Sequence, residues 1–262
     1  MYSGPELNFV ASFPKAGTHL IAWILGELGL IDTKWQIGYD STNLTDVNDG
    51  KLLGVNLPRD TLTGDIRLIS IDRNQVLRLV KAGQFAVGHL PPHVIDPELH
   101  FRMKTVLLIR EIRSALLSYY NFYKLLAFED PHFSRFAHIE DPTVQMEQFL
   151  EASMKDLTIL WRDLMAWKLY RSNLIVTYEN LTSETYRSNT ISRIAAHFSL
   201  DASESKIDQV SRRYGQSSTP TKLSLSKELR PGQWSVRCEE LYEHYGCAAL
   251  DKEISGYIET GY

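Results

Sequence analysis

Hydrophobic and polar positions follow two patterns that alternate along most of the chain. Short, largely apolar runs are typical of strands buried on both faces of a parallel sheet. These predicted strands cover residues 9–11, 85–88, 105–109 and 174–178. Longer stretches with apolar positions three and four residues apart predict helices. The predicted helices begin at residue 18 and cover 73–81, 115–126, 145–170, 190–198 and 207–214. This alternation predicts an α/β chain with a central parallel sheet flanked by helices, in which ligands bind beyond the carboxyl ends of the strands.

Two segments interrupt this alternation. Residues 31–66 are rich in Asp, Asn, Thr and Gly and have little periodicity, so we expect a long irregular insertion there. Residues 215–236 are rich in Ser, Thr, Pro and Gly and predict a mobile loop. The length of 262 residues fits one domain that spans residues 1–262.

Composition and charge argue against several classes of protein. The hydrophobic share of 44% and the charged share of 23% are ordinary, and the net charge of −4 argues against general nucleic-acid binding. No apolar run approaches the roughly 20 residues of a membrane span, and the first residues lack the pattern of a secretory signal. We therefore expect no nucleic-acid partner, no membrane span and a cytoplasmic location. Cys238 and Cys247 are too few for a metal framework and are expected to be reduced.

The most informative motif follows the first predicted strand. Pro14 and Gly17 break the strand, and a buried helix is expected from Thr18 onward. The free N–H groups of a first helical turn and the positive end of the helix dipole form an anion site. Lys15 adds a full charge, Thr18 adds a hydroxyl, and Gly17 allows close approach of the backbone. The motif therefore predicts a phosphate-binding loop.

This loop differs from a Walker A motif, because the lysine precedes the glycine and the first glycine is missing. The sequence from Pro14 to Leu20 instead resembles the sulfotransferase loop Pro-Lys-Ser/Ala-Gly-Thr-Thr-Trp, which binds the 5′-phosphosulfate of 3′-phosphoadenosine 5′-phosphosulfate (PAPS). The resemblance implies a P-loop-like three-layer α/β fold. It also implies that five consecutive residues contact the cofactor. These are Lys15, Ala16, Gly17, Thr18 and His19.

A second block supports this interpretation. The predicted strand 105–109 is followed by Arg110, whereas a nucleoside triphosphatase often has a Mg²⁺-binding Asp there. The planar guanidinium of arginine binds phosphate through two parallel hydrogen bonds. Arg110, with Ser118 eight positions later, resembles the sulfotransferase segment that binds the 3′-phosphate. Glu111 and Ile112 replace the usual Asn/Asp-Pro between them.

Three shorter matches follow in the family order. The segment around His89 resembles Lys-Thr-His-Leu-Pro, whose histidine is the catalytic base. Tyr178 begins a match to Tyr-Glu-Asp-Leu, whose tyrosine lies near the adenine. Arg230 and Gly232 resemble an Arg-Lys-Gly loop that closes over the 3′-phosphate. The chain departs from the family at three further positions, where a tryptophan and two lysines are replaced by Leu20, Val87 and Pro231.

The resemblance implies transfer of a sulfuryl group from PAPS to a hydroxyl of a small-molecule acceptor, which leaves 3′-phosphoadenosine 5′-phosphate (PAP). His89 would take the acceptor proton, for which an ordinary pKa near 6.5 is suitable. Lys15 would stabilise the departing 5′-phosphate, and no metal is implied. For the base, His19 ranks second and His93 third.

The acceptor and the alternatives stay open at this point. Seven aromatic residues in the predicted loops and helices favour an aromatic or hydrophobic acceptor, although they also suit a core. They are Trp35, Tyr39, Tyr120, Phe122, Tyr123, Phe128 and Phe136. A homodimer is an open option. The alternative functions are a P-loop-type nucleotide kinase or nucleoside triphosphatase, and a non-catalytic nucleotide-binding protein of the same fold.

Overall fold

A computed structural model describes residues 6–38, 42–44, 61–63, 66–69, 73–125, 135–214 and 234–260. Within these ranges, eight strands form one sheet in the order β4-β5-β3-β2-β6-β1-β7-β8. The strands are β1 Leu7–Ser12, β2 Ile31–Ile37, β3 Thr42–Leu44, β4 Thr61–Thr63, β5 Ile66–Ile69, β6 Gln84–Gly88, β7 Met103–Ile109 and β8 Leu174–Thr177. β2, β6, β1, β7 and β8 are parallel, and β3, β5 and β4 extend the sheet as antiparallel strands.

Helices flank the five parallel strands, as the sequence predicted. In the described ranges they are α1 Thr18–Glu27, α2 Arg73–Leu79, α3 Pro97–His100, α4 Ile112–Leu125, α5 Pro142–Met165, α6 Tyr178–Thr182, α7 Arg187–His197, α8 Glu204–Arg213, α9 Val236–His244 and α10 Cys247–Thr260. Short 3-10 turns cover Pro92–Val94 and Ala166–Leu169. The predicted central sheet with flanking helices is therefore confirmed.

The core lies around β1 and β7, which are the apolar centre of the sheet. All six residues of β1 are buried, since helices cover a parallel sheet on both faces. Two buried tryptophans pack beside this strand. The Trp161 ring lies 6.0 Å from that of Phe13, and the Trp167 ring lies 6.4 Å from that of Phe9.

The expectation of an irregular segment over 31–66 is wrong for the described part of that segment, where β2, β3 and β4 lie. In β2, Thr33, Trp35 and Ile37 are buried and alternate with more exposed residues. This alternation was not recognised in the sequence because the strand is irregular. Lys34 has a φ of 61°, and the register with β6 shifts along β2. A smaller correction concerns Tyr178, which begins α6 instead of ending β8.

The topology brings several chain segments to one edge of the sheet. β1, β6, β7 and β8 are parallel neighbours, so the loops that follow them leave from the same edge. α1, α4 and α6 begin directly after β1, β7 and β8. The predicted phosphate loop therefore lies beside the ends of the other three strands.

Candidate active site

The loop between β1 and α1 turns through left-handed backbone conformations. Lys15 has a φ of 64° and Gly17 a φ of 98°. Ala16 is buried, and its N–H donates to the Phe13 carbonyl at 3.1 Å. Thr18 is the first residue of α1. The N–H groups of Leu20 and Ile21 donate to the Gly17 carbonyl at 2.9 and 3.1 Å, whereas helix geometry leaves those of Thr18 and His19 without a carbonyl partner within the helix. The loop thus presents backbone donors at the helix end that favours an anion.

Gly17 is required because another side chain lies against its backbone. A Cβ at Gly17 would lie 2.6 Å from Cδ2 of Tyr178. Only glycine combines this contact with the positive φ at low cost. The predicted loop and the predicted adenine-side tyrosine are therefore in direct contact.

Arg110 joins the same group of residues from the end of β7. Its side chain is buried, and its Nη1 donates to the Lys15 carbonyl at 2.9 Å. The guanidinium carbon lies 4.2 Å from the centre of the Tyr178 ring, a cation–π distance. The Nε–H of Arg110 is buried and has no acceptor among the described residues. A buried guanidinium with an unused donor fits an anionic ligand.

Ser118 is the second predicted residue for the 3′-phosphate. It lies on α4, six residues after the helix start, or about 9 Å along the helix axis. Ser118 is 3% exposed, and its hydroxyl has no hydrogen-bond partner in the described part of the chain. Unsatisfied buried hydroxyls are uncommon in folded proteins, so this one also fits a ligand oxygen.

Lys15 is held in an unusual electrostatic environment. Its Nζ lies 3.7 Å from the centre of the Phe122 ring on α4. Burial, and then the nearby guanidinium of Arg110, lower the pKa of Lys15 to about 8. Two cations held close together favour binding of a multiply charged anion, and the carboxylates of Glu179 and Glu111 act on Arg110 from nearby.

His89 follows β6 and is bonded at both ring nitrogens. The Ser12 carbonyl lies 2.7 Å from Nδ1 and can only accept, so Nδ1 carries the proton. Nε2 then accepts, and the Gln36 amide lies 3.0 Å from it. Burial, and then the proximity of His19 and Lys15, lower the pKa of His89 to about 4, with the Ser12 bond opposing them. This differs from the ordinary value expected from the sequence.

A chain of hydroxyl contacts joins His89 to the phosphate loop. The Ser12 hydroxyl lies 3.3 Å from Nδ1 of His89 and 2.8 Å from the hydroxyl of Thr18. Ser12 is fully buried at the end of β1. The predicted base and the predicted phosphate-binding hydroxyl thus share one neighbour.

The other predicted histidines are placed less favourably. His19 is exposed on the first turn of α1. His93 lines a cavity of about 770 Å³ together with Glu6 and Met103. Those two residues lie at the amino ends of β1 and β7, which is the edge opposite Lys15. Of the three candidates, His89 therefore has the best geometry for the base.

Several predicted residues cannot be placed. Arg230 and Gly232, and nearly all of the predicted mobile loop, lie outside the described residues, as do Tyr39 and Phe128. Among the aromatic candidates that are described, three belong to the core. They are Trp35, Tyr120 and Phe136. Phe122 is partly buried against Lys15 and belongs to the site.

Two polar site residues were missed from the sequence. Ser12 precedes the loop motif directly, and its position at the strand end was an available signal. Gln36 was missed because its strand was taken as irregular. Glu179 is a third neighbour: one carboxylate oxygen accepts from the Glu111 N–H at 3.1 Å, and burial raises the pKa of Glu179.

The sulfotransferase domain model matches residues 6–227. The chain belongs to the sulfotransferase family. The matched range contains every predicted site residue that the structure describes, and Arg230 and Gly232 lie beyond its end. No curated protein sequence matches the chain.

Solved sulfotransferase structures have a similar fold. Retinol dehydratase in complex with androsterone and the inactive cofactor PAP is 17% identical, with a TM-score of 0.50 over 82% of this chain and 65% of that one. Mouse sulfotransferase SULT7A1 complexed with PAP is 16% identical, with a TM-score of 0.52 over 80% of this chain and 63% of that one. This chain thus spans less than two thirds of either protein. At these identities the similarity concerns the fold.

The described residues contain neither a membrane-spanning helix nor a cluster of metal ligands. None of their helices is both long and apolar enough to cross a bilayer. The described part of the chain also holds no group of three or more His, Cys, Asp or Glu side chains arranged as metal ligands.

Proposed function

We propose that this protein is a PAPS-dependent sulfotransferase that transfers a sulfuryl group to a hydroxyl of a small molecule. The observation that carries the proposal is the buried Arg110 beside the loop of Lys15. Its guanidinium bonds the loop backbone and keeps one buried donor without an acceptor among the described residues. A kinase or triphosphatase would need a carboxylate for Mg²⁺ at this strand end, and the chain has a cation there instead.

The residues of the site fit the two anionic ends of PAPS. The loop from Lys15 to Thr18 binds the 5′-phosphosulfate through backbone N–H groups, an ammonium and a hydroxyl. Arg110 and Ser118 bind the 3′-phosphate with the Nε–H and the hydroxyl that have no partner in the described part of the chain. Tyr178 packs between Gly17 and Arg110 and contacts the adenosine. His19, the second residue of α1, belongs to the same cofactor-binding loop. Arg230 and Gly232, which lie outside the described residues, stay predicted contacts of the 3′-phosphate.

The reaction depends on a base and on charge stabilisation. When bound, PAPS supplies the sulfuryl group and leaves as PAP. His89 accepts the hydroxyl proton at Nε2, while the Ser12 carbonyl holds Nδ1–H. The bound anion raises the pKa of His89 from its low value toward neutrality, because negative charge favours the imidazolium. Lys15 stabilises the negative charge that grows on the departing phosphate.

The acceptor is a small hydroxyl compound with an aromatic or hydrophobic body. Phe122, whose ring contacts the Lys15 ammonium at 3.7 Å, places an aromatic side chain at the reacting end of the site. The androsterone in the retinol dehydratase structure supports a hydrophobic acceptor. A homodimer and a single domain over 1–262 stay predictions.

Calorimetry without metal tests the proposal. We expect PAP to bind at least about tenfold more tightly than adenosine 5′-phosphate, because only PAP engages Arg110 and Ser118. Arg110→Ala should remove most of that preference. The matched control is His89→Ala, which should keep PAP affinity while lowering turnover about a hundredfold or more. Equal affinity for the two nucleotides, or tighter binding of ATP with Mg²⁺, would contradict the proposal.

A further inference from the structure

We infer that Gln36 is a positioning residue for His89, and that its amide occupies Nε2 of the ring until a substrate hydroxyl replaces it. The catalytic consequence rests on the proposed function. The positioning itself rests on the geometry of two neighbouring strands, and it is testable without any substrate.

The strands bring Gln36 to His89 through their register. Gln36 on β2 is paired in parallel with Val87 on β6, so their side chains share a face of the sheet. His89 lies two residues after Val87, and its N–H donates to the Ile37 carbonyl at 2.9 Å. The end of β2 thus holds the backbone of His89 and also places an amide at its ring.

The direction of each hydrogen bond follows from the partners. Because the Ser12 carbonyl accepts from Nδ1–H, Nε2 of His89 has a lone pair. The Gln36 group facing that lone pair is the amide nitrogen, which donates at 3.0 Å. The reverse orientation would place the amide oxygen against the lone pair, with no proton between them. The arrangement therefore specifies one tautomer of His89 and one orientation of Gln36.

Burial is the main reason that His89 is neutral, and the bond from Gln36 acts in the same direction. A donor at Nε2 stabilises the neutral ring and opposes protonation of the same nitrogen. The charged or titratable neighbours that act on the ring are Lys15 and His19, and both lower the pKa of His89. On β2, Asp32 and Lys34 pair with each other at 3.2 Å. The side of the His89 ring that faces β2 is therefore contacted by the Gln36 amide, which is a neutral donor.

The atom that Gln36 bonds is the one that the base must use. A hydroxyl that is to be deprotonated has to donate to Nε2, where the Gln36 amide now lies. Binding of such a hydroxyl therefore moves the amide, whose N–H is then available to the hydroxyl oxygen. A molecule without a hydroxyl donor leaves the bond between Gln36 and His89 in place. Gln36 thus favours acceptor substrates that place a hydroxyl at Nε2 of His89.

The first experiment measures His89 in the protein without substrate. Ring ¹⁵N chemical shifts report the tautomer and the pKa of each histidine. In the wild type we expect protonated Nδ1 and a pKa of His89 well below the ordinary value of about 6.5. Gln36→Glu replaces the donor with an acceptor of the same shape, so the pKa of His89 should rise above the wild-type value. An unchanged pKa in this variant would overturn the inference.

A second variant separates positioning from folding. Gln36→Leu removes the amide but keeps an apolar side chain on the sheet, so Nδ1 should stay protonated while the Nε2 signal shifts. The control is Gln84→Leu at the start of β6, where the side chain accepts from the Lys81 N–H at 3.0 Å. That variant should leave the His89 signals unchanged. His89 signals that respond equally to both substitutions would mean a general effect of altering the sheet.

Measurements of turnover then connect the role of Gln36 with the proposed sulfuryl transfer. With PAPS and an acceptor alcohol, Gln36→Glu should shift the rising limb of the kcat/KM profile to higher pH in step with its His89 pKa. A wild type that shows the expected tautomer but transfers no sulfuryl group would refute the proposed function and leave the positioning intact. An active wild type with an unshifted profile in Gln36→Glu would refute the role of Gln36.

Discussion

Lys15 has an unusual proton equilibrium for a phosphate-binding lysine. Its pKa of about 8 means that the free protein loses this charge as pH rises through 8, whereas an ordinary lysine keeps it to about 10.4. A bound phosphate stabilises the ammonium and raises the pKa again. We therefore expect PAP affinity to fall between pH 7 and 9, and binding near pH 8 to take up protons. Calorimetry in two buffers of different ionisation enthalpy measures both.

The matched variant is Lys15→Arg, because a guanidinium stays charged over this whole range. It should bind PAP with little pH dependence and without net proton uptake. A wild-type PAP affinity that is constant from pH 7 to 9 would show that Lys15 does not lose its proton in this range. The lowering of the Lys15 pKa by burial and by Arg110 would then be offset.

Individual site residues differ in how far the sequence could predict them. Lys15 and Arg110 are charged residues that closely follow apolar predicted strands, so the local motif was enough to make them candidates. Gln36 carries no charge and lies in a strand interrupted by a left-handed lysine. Its role depends on which residue faces it across the sheet, and that is set by tertiary register. No local pattern reports such a pairing.

At the scale of elements, the turn between β1 and α1 depends on a single glycine. Gly17→Ala would place a Cβ 2.6 Å from the Tyr178 ring on a backbone with a φ of 98°. The left-handed conformation alone costs about 1–2 kcal/mol for a residue with a Cβ. We expect at least this loss in the free energy of unfolding, and a weaker PAP affinity because Tyr178 must move. Urea denaturation and calorimetry measure the two effects.

Gly26 in the same helix is the control. A Cβ there would meet no atom within 4 Å, and alanine is the better helix former. Gly26→Ala should leave PAP binding unchanged and raise the stability by about 0.5–1 kcal/mol. If the two alanine variants behaved alike, the contact between the loop and Tyr178 would not be what requires glycine at position 17.

Elements were predictable where burial is uniform along them. β1 and β7 lie at the centre of the sheet and need apolar residues on both faces, so their apolar sequences predict strands. β3, β4 and β5 are three or four residues long and antiparallel, and their pairing is not local. The end of β8 was placed one residue late because Tyr178 continues the apolar run while its backbone already begins α6.

On the scale of the whole molecule, the C-terminal helices support the site from beyond the family match. α9 and α10 follow residue 227, where that match ends. Asp251 on α10 accepts from the Ile112 N–H at 2.5 Å, at the start of α4 and two residues after Arg110. Glu239 on α9 binds Nη2 of Arg113 with both oxygens at 2.8 Å. The beginning of α4, and with it the position of Arg110, is therefore held by both C-terminal helices.

The last prediction follows from this support. Ile254 on α10 is fully buried, and its truncation to alanine should lower the free energy of unfolding by about 2–5 kcal/mol. Val236 on α9 is 78% exposed, so Val236→Ala should change stability by no more than about 0.5 kcal/mol. Denaturant titration compares the two variants. Because α10 also holds the start of α4, Ile254→Ala should weaken PAP binding at temperatures where the protein is still folded. A variant with lower stability and normal PAP affinity would mean that α10 stabilises the fold without positioning Arg110.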